Sequence, residues 1–182
     1  MKLDPSVREA ILAAVPSLRA FAISLSGNVD RADDLVQETM LRALANIHSF
    51  QPGTNMSAWL FTILRNLFRS EYRKRRREVE DTDGSFAEGL KSHPEQLGRV
   101  EFQEFRAALS QLPAEQCEAL ILVGASGFSY EEAADICDCA VGTIKSRVNR
   151  ARSRLAKLLS IDSVEDFGPD HTMRAVLIGQ DG

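Results

Sequence analysis

The sequence predicts an all-α protein in which two small helical domains are joined by a flexible acidic linker. Apolar residues recur at the three- and four-residue spacing of amphipathic helices along most of the chain, and no run alternates convincingly as a strand would. Hydrophobic residues make up 44% of the 182 and charged residues 26%, which is close to the average of folded proteins and excludes wholesale disorder. We expect a first domain over 1–77, the linker over 78–100, a second domain over 101–160 and a tail over 161–182.

The first domain is expected to begin with two helices that a proline separates. Asp4 and Pro5 suit the cap and the first position of a helix. Pro16 is expected to end that helix and to start a second one, which Gly27 closes. Asp30 is the expected N-cap of the next helix. The continuous apolar stripe of that helix comprises Ala32, Leu35, Val36, Thr39, Met40, Ala43, Leu44 and Ile47.

A long basic helix is expected to complete the first domain. A turn over 48–54 precedes it and contains the dipeptide Pro52-Gly53. The helix is predicted from about Met56 to Arg77, and residues 78 to about 98 are acidic, carry Gly and Ser, and lack apolar periodicity, which is typical of a linker. The residues expected on the apolar side of this long helix are Trp59, Leu60, Ile63, Leu67 and Tyr72.

The second domain contains a predicted helix-turn-helix motif. After a helix that begins at Pro113, Ser129 and Glu132 have the spacing of a capping box, which indicates the start of another helix. That helix is expected to end near Cys137, and a short turn separates it from a basic helix that begins at about Val141. Two helices joined by a short turn, with the second one basic, are typical of a motif that inserts its second helix into the major groove.

Basic residues are concentrated in two short windows, although the net charge is −4. Residues 65–77 hold seven Lys or Arg with one acid, and residues 145–157 hold six with no acid, so thirteen of the 22 basic residues lie in these windows. Two solvated helix faces are the alternative interpretation. Two separate patches, one of them free of acids, favour two contacts with a polyanion.

The polar face of the last helix is the candidate surface for reading DNA. Val141, Ile144 and Val148 must face the core, which leaves their polar neighbours, with Gly142, to face outward. Arginine can pair with guanine through two parallel hydrogen bonds, and Ser or Thr can contact phosphate or a base. A helical hairpin with a solvated basic edge is the alternative, and the lack of acids on this helix favours DNA. The expected DNA contacts here are Thr143, Lys145, Ser146, Arg147, Asn149 and Arg150.

The helix that follows Asp30 has an acidic exposed face. Acids in a first turn are stabilised by the helix dipole, so Asp33 and Asp34 have a structural explanation, which does not extend to Glu38. Carboxylates around an exposed Leu41 also suit docking of a basic partner, and the spacing leaves both interpretations open. The residues of this candidate docking face are Asp34, Gln37, Glu38 and Leu41.

The long helix interleaves aromatic and cationic residues, a pattern typical of surfaces that bind single-stranded or unpaired bases. Plain core packing is the expected role of Trp59. Phe61 and Arg65, four residues apart, lie off the apolar stripe and are therefore expected to be more available for contact.

The sequence carries no signal of an enzyme, a metal site or a cofactor. The three histidines are isolated, and there is no glycine-rich phosphate loop, no Ser/His/Asp order and no zinc spacing. The longest run that lacks both charged residues and histidine, residues 49–64, is too short and too polar to span a bilayer, and Asp4 and Glu9 interrupt any signal peptide. Three cysteines fit a reducing compartment. We therefore expect a cytoplasmic protein with no membrane contact.

Several motifs, in their order along the chain, resemble the extracytoplasmic-function (ECF) class of bacterial sigma factors. They are Asp34-Leu-Val-Gln-Glu38, a Trp59-containing helix that ends in arginines, Leu112-Pro113, Ser129-Tyr-Glu-Glu-Ala133, and the run from Val141 to Arg152. The resemblance covers roughly residues 10–160. The phrase from Ala119 to Glu132 is most similar to the general-stress-response branch, the EcfG type.

The resemblance implies a sigma-2 domain, a linker and a sigma-4 domain that direct core RNA polymerase to promoters. Asp34, Gln37 and Glu38, with Leu41, would meet the polymerase at the clamp helices of its β′ subunit, and the β subunit is a further expected partner. Residues 48–56 would hold a flipped base of the −10 element, and Thr143 to Arg150 would read the −35 element. The residues implied at the −10 element are Phe61, Arg65, Asn66, Arg69 and Arg73.

The same resemblance implies an inhibitor, a small helical anti-sigma factor of the NepR type inserted between the two domains. The principal alternative function is a stand-alone helix-turn-helix regulator, which needs neither the acidic helix face nor two separate basic windows. An RNA-binding or membrane-surface protein would use the basic cluster of residues 65–77 alone and leaves residues 101–160 unexplained.

Overall fold

The computed structural model describes residues 4–80 and 100–160, and every regular element in these ranges is helical. The chain divides into two compact units, residues 1–92 and 93–182. The all-α prediction with two helical domains is therefore confirmed. The helices are α1 (Pro5–Ser26), α2 (Val29–Ala45), a 3-10 turn (Ile47–Ser49), α3 (Met56–Glu80), α4 (Val100–Ser110), α5 (Ala114–Leu120), a π-helical turn (Ile121–Ala125), α6 (Tyr130–Cys137) and α7 (Val141–Leu158).

Helix covers both ends of the segment predicted as a linker. Helix α3 continues to Glu80, three residues past its predicted end, and α4 begins at Val100. The expected linker otherwise falls on residues 81–99 and the expected tail on residues 161–182, and both lie outside the described residues. The boundaries proposed for these two segments stay predictions.

Helix α1 is continuous, so the prediction of a break at Pro16 was wrong. Proline inside a helix removes one backbone hydrogen bond and crowds the preceding turn. Pro16 points outward, while Ile11 and Leu18 on either side of it are buried where α1 packs on α2 and α3. Tertiary packing on both sides of the proline keeps the helix intact. Its ends are as predicted, with Asp4 as N-cap and Gly27 closing it in a left-handed conformation at φ 65°.

Among the described residues, α1 is also the helix that has the length and hydropathy of a membrane span. A core helix passes the same test of composition. The buried face of α1, which includes Phe21 at 0% exposure, packs on two neighbouring helices of its own unit. That packing accounts for the apolar residues on the buried face, whereas Leu12 of the same helix is exposed.

The first unit is a bundle in which α1, α2 and α3 each pack on the other two. Asn28, and not the predicted Asp30, caps α2, because the Asn28 side-chain oxygen accepts a hydrogen bond from the Arg31 amide at 2.9 Å. Because each of the three helices packs on two others, each buries more of its surface than a single apolar stripe. The buried apolar residues of α2 and α3 are Ala32, Leu35, Val36, Ala43, Met56, Leu60, Phe61, Leu64 and Leu67.

The second unit contains the predicted helix-turn-helix. The capping box is present: the Glu132 amide donates to Ser129 Oγ at 3.0 Å and the Ser129 amide donates to Glu132 Oε2 at 2.9 Å. Asp138 follows the last residue of α6 as its C-cap, and its left-handed backbone (φ 51°) turns the chain toward α7. Helix α7 then buries Ile144, Val148 and other apolar residues against α5 and α6, which leaves its opposite side open to solvent.

Candidate nucleic-acid and partner interfaces

The outer face of α7 carries a polar strip as expected. Lys145, Asn149 and Arg150 are exposed, and so is Gly142 in the first turn. Thr143 and Ser146 are half-buried at the edges of this strip. No side chain caps the start of α7, since Ala140 occupies the cap position. The first three turns of the helix therefore offer cations, an amide and open backbone to a ligand.

Arg147 does not face outward as expected. Its Nη2 donates to Glu115 Oε2 at 2.8 Å, and its Nη1 lies 3.8 Å from Cys139 Sγ. The Arg147 side chain is only 19% exposed, because α5 packs beside this edge of α7. The absence of acids on α7 itself did not exclude this ion pair, because its carboxylate comes from α5.

Lys145 lies beside an aromatic ring of the preceding helix. Its Nζ is 5.7 Å from the centroid of the Tyr130 ring, within the range of a cation–π contact. Tyr130 opens α6, so this contact links the two helices of the motif. Lys145 remains exposed and keeps its charge at the surface.

Phe61 and Arg65 are buried, which corrects the expectation that they lie off the core. Phe61 is 1% exposed and stacks on Phe21 of α1, with ring centroids 5.0 Å apart. Arg65 is 2% exposed. Helix α3 contacts α1 as well as α2, so its buried arc is wider than a single stripe and takes in both residues. Tyr72, expected on the apolar side, is 43% exposed.

The remaining candidates on α3 form one exposed face. Asn66, Arg69 and Arg73 are exposed, and their spacing of three and four residues aligns them along the helix. Residues 74–77 continue the positive charge toward the end of the helix and are also exposed. Asn66, Arg69 and Arg73 lie outside the buried arc of α3 that packs on α1 and α2.

The acidic face of α2 divides into a structural and an open part. Asp33 Oδ1 accepts from Arg19 Nε of α1 at 2.7 Å, so Asp33 ties two helices of the bundle together. Asp34, Gln37 and Leu41 are exposed, and Leu41 is 63% exposed despite being apolar. Glu38 is partly exposed and accepts from Arg42 Nε at 2.7 Å, one turn along α2.

A surface groove between α2 and α3 was missed by the sequence analysis. Its lining mixes both signs of charge and consists of Arg31, Asp34, Glu71, Lys74 and Arg75. Arg31 Nε lies 3.9 Å from Glu71 Oε2, and the Arg31 guanidinium sits 5.3 Å from the Phe68 ring centroid. The acidic face of α2 and the basic end of α3 thus meet in this groove. The pairing of Arg31 with a residue forty positions away carries no local sequence signal.

The turn before α3 is held by aromatic contact. The Phe50 and Trp59 rings lie 5.4 Å apart, and Trp59 is half-buried. Gly53 has a left-handed backbone (φ 89°), which an L-residue with a side chain adopts only at a cost. Residues 51–55, which lie between Phe50 and the start of α3, are exposed.

No cluster of three or more His, Cys, Asp or Glu residues that could hold a metal ion occurs in the ranges 4–80 and 100–160. Burial raises the pKa of the Cys117 thiol to about 12, and the neighbouring Glu118 carboxylate adds to this shift. The thiol is therefore protonated at neutral pH, whereas a metal ligand or nucleophile must be a thiolate.

Comparison with known proteins connects both units to transcription. Residues 11–78 match the family model of sigma-70 region 2, and residues 102–155 match that of sigma-70 region 4. The ECF RNA polymerase sigma factor EcfG of Rhodopseudomonas palustris (strain TIE-1) is 76% identical over 98% of this chain and 99% of its own. The ECF sigma factor SigE of Mycolicibacterium smegmatis is 34% identical over 88% of this chain and 64% of its own.

A solved structure agrees with these matches. The sigma factor RpoE of Bartonella quintana, crystallised in complex with the anti-sigma factor NepR, is 56% identical. It superposes with a TM-score of 0.80 over 88% of this chain and 100% of its own. On the two matched regions and the high identity along nearly the whole chain, this protein belongs to the sigma-70 family, among the ECF RNA polymerase sigma factors of the EcfG branch.

Proposed function

We propose that this chain binds core RNA polymerase through the exposed face of α2 and directs the enzyme to promoters. In this proposal the exposed face of α3 contacts the −10 element and the outer face of α7 reads the −35 element. The observation that carries the proposal is the pairing, within one unit, of an open carboxylate-and-leucine face on α2 with an open polar and cationic face on α3.

The face of α2 suits a basic protein partner. Asp34 and Gln37 are exposed, and Leu41, seven residues after Asp34, adds apolar surface that is 63% exposed. An exposed apolar side chain ringed by charge is typical of a protein–protein contact, with the apolar surface supplying affinity and the charges supplying specificity. The charged rim favours the basic clamp helices of the β′ subunit, and the β subunit is a further proposed partner.

The face of α3 suits the −10 element with a reduced set of residues. Asn66, Arg69 and Arg73 are exposed on one line and supply hydrogen bonds and positive charge. The burial of Phe61 and Arg65 supports a role in shaping this face from inside the unit. The exposed turn over 51–55, held by the contact of Phe50 with Trp59, is the proposed site for a flipped base.

We also propose that an anti-sigma factor of the NepR type holds the protein inactive. The likeness to RpoE of Bartonella quintana, which was crystallised with such a factor, supports this inhibitor. The inhibitor would cover the acidic face of α2 and so exclude the polymerase. The protein would act in the cytoplasm by binding alone, without catalysing a reaction or requiring a cofactor.

The experiment is a binding measurement with purified core polymerase. Asp34→Lys places a like charge opposite the basic clamp and should reduce affinity strongly. Asp34 lies outside the buried core but lines the groove that also holds Lys74 and Arg75, so circular dichroism checks that the variant is folded. Glu9→Lys is the matched control, because Glu9 is an exposed acid on α1 of the same unit and its reversal changes net charge equally. Equal polymerase affinity of the two variants would contradict docking through α2. Binding of promoter DNA without any binding of polymerase would instead favour a stand-alone regulator.

A further inference from the structure

The ion pair between Arg147 and Glu115 connects three parts of the second unit. Glu115 lies in the first turn of α5, Arg147 lies in the second turn of α7, and Cys139, which Arg147 also contacts, lies in the turn between α6 and α7. The two charged residues are 32 positions apart in sequence. One side chain therefore ties the last helix to the helix before the motif and to the motif's own turn.

We infer that Arg147 is a positioning residue, whose ion pair with Glu115 sets the orientation in which α7 presents Lys145, Asn149 and Arg150 to DNA. The inference rests on the proposed reading of the −35 element by α7. It removes Arg147 from the residues that touch DNA and gives Glu115, an acid outside the helix-turn-helix, a part in promoter recognition.

The burial of Arg147 supports this assignment. Bidentate recognition of guanine needs two guanidinium donors that are open to the base edge. Both terminal nitrogens of Arg147 already face protein atoms, and the side chain is 19% exposed, whereas Lys145, Asn149 and Arg150 are exposed on the outer face. With Nη1 and Nη2 both directed at protein atoms, Arg147 is poorly placed to offer a base the two parallel donors that guanine recognition uses.

Because Glu115 is exposed, the inference can be tested by whether its neutralisation raises or lowers the affinity for DNA. Its side chain is 57% exposed, so its charge repels the phosphates of any DNA that approaches this unit. If Glu115 had no positioning role, neutralising it would strengthen DNA binding by removing that repulsion and by releasing an arginine. If the ion pair holds α7 in place, neutralising it weakens binding.

The first experiment measures the affinity for promoter DNA of core polymerase assembled with the Glu115→Gln variant of this protein. The glutamine keeps the size of the side chain and loses the ion pair, and we expect about a two- to fivefold fall in affinity, which corresponds to a partly exposed pair. Glu104→Gln is the control, because Glu104 is an exposed acid on α4 of the same unit and its neutralisation removes the same charge. Its affinity should be unchanged or higher. Tighter binding by Glu115→Gln would overturn the inference.

A second experiment separates positioning from direct contact. Arg147→Ala should lower affinity, weaken together the preferences that depend on Lys145, Asn149 and Arg150, keep the salt dependence, and have little further effect in the Glu115→Gln background. Loss of preference at a single base pair would identify a base contact and overturn the inference. A salt slope reduced by about one would identify a phosphate contact and overturn it equally. If the unsubstituted protein shows no −35 preference, the proposed function fails instead, so the two failures are distinguishable.

Discussion

The ring of Phe61 in α3 stacks on the ring of Phe21 in α1, with centroids 5.0 Å apart and an interplanar angle of 28°. Both residues are buried at 1% exposure or less. This contact joins the helix proposed to meet the −10 element to the N-terminal helix of the bundle. Any contribution of Phe61 to the proposed DNA contact would therefore come through the fold that it stabilises.

Phe61→Ala should destabilise the first unit by about 3–5 kcal/mol, because it removes a buried ring and leaves a cavity. Trp59, the single tryptophan, lies in the same helix, so its fluorescence during denaturant unfolding reports on this unit. Asn66→Ala is the control on the same helix. Because Asn66 is exposed, its loss should change stability by less than about 0.5 kcal/mol while weakening binding to the −10 element. Unaltered stability of Phe61→Ala would show that the stacking contributes nothing.

Two glycines with open surroundings should respond to alanine with opposite signs. A Cβ atom at Gly142 or at Gly53 would meet nothing within 4 Å, but Gly53 has φ +89° whereas Gly142 lies in helix α7. Gly142→Ala should stabilise the second unit by about 0.4–1 kcal/mol, since alanine restricts the unfolded chain. Gly53→Ala should destabilise the first unit by about 1–2 kcal/mol through its backbone conformation.

Circular dichroism during denaturant unfolding measures both glycine variants, with Trp59 fluorescence as a second probe for Gly53→Ala. A stabilised Gly142→Ala that also weakens DNA binding would indicate that DNA approaches the backbone of the first turn closely. Destabilisation of Gly142→Ala would contradict the open surroundings described for that residue.

Arg150 and Arg154 are exposed on α7 one turn apart and should contribute to DNA binding in different ways. Arg150→Ala should cost about 1–3 kcal/mol and relax preference at one base pair, as a bidentate base contact does. Arg154→Ala, further from the start of the helix, should weaken binding to all sequences and lower the salt slope by about one. Affinities over a panel of −35 variants at several salt concentrations test both. A uniform loss for Arg150→Ala would assign it to phosphate.

The proposed anti-sigma factor and core polymerase should exclude one another. Both are proposed to cover the face of α2 that contains Asp34 and Leu41, so their binding sites overlap. When core polymerase is added stepwise to the preformed complex of this protein and its inhibitor, one inhibitor molecule should be released for each polymerase bound. A stable complex of all three proteins would contradict occlusion as the mechanism of inhibition.

Local features of this fold could be predicted from the sequence, and long-range contacts could not. The capping box of Ser129 and Glu132 was predictable because both partners lie within one helical turn. Phe61 was placed outside the core because a single apolar stripe describes a helix with one neighbour, whereas α3 has two. The pair of Arg147 with Glu115 joins residues 32 positions apart, and no spacing rule indicates it.

In the candidate interfaces too, features local to one helix could be predicted and contacts between helices could not. The exposed sets on α2 and α7 could be inferred from helical periodicity, since Asp34, Gln37, Lys145 and Asn149 lie opposite buried stripes. The groove between α2 and α3 depends on how two helices pack and so had no signal in either helix alone. The continuity of α1 through Pro16 likewise reflects packing on neighbouring helices that overrides a local preference for a break.

Transcription from genomic promoters shows whether this protein directs core polymerase to specific start sites. Core polymerase is incubated with fragmented genomic DNA of the source organism, with or without this protein, and the 5′ ends of the transcripts are sequenced. A new set of start sites should appear only with the protein, share two upstream elements, and disappear with Asp34→Lys but not with Glu9→Lys. Start sites that are identical with and without the protein, under conditions in which it binds core polymerase, would contradict its proposed function in promoter recognition.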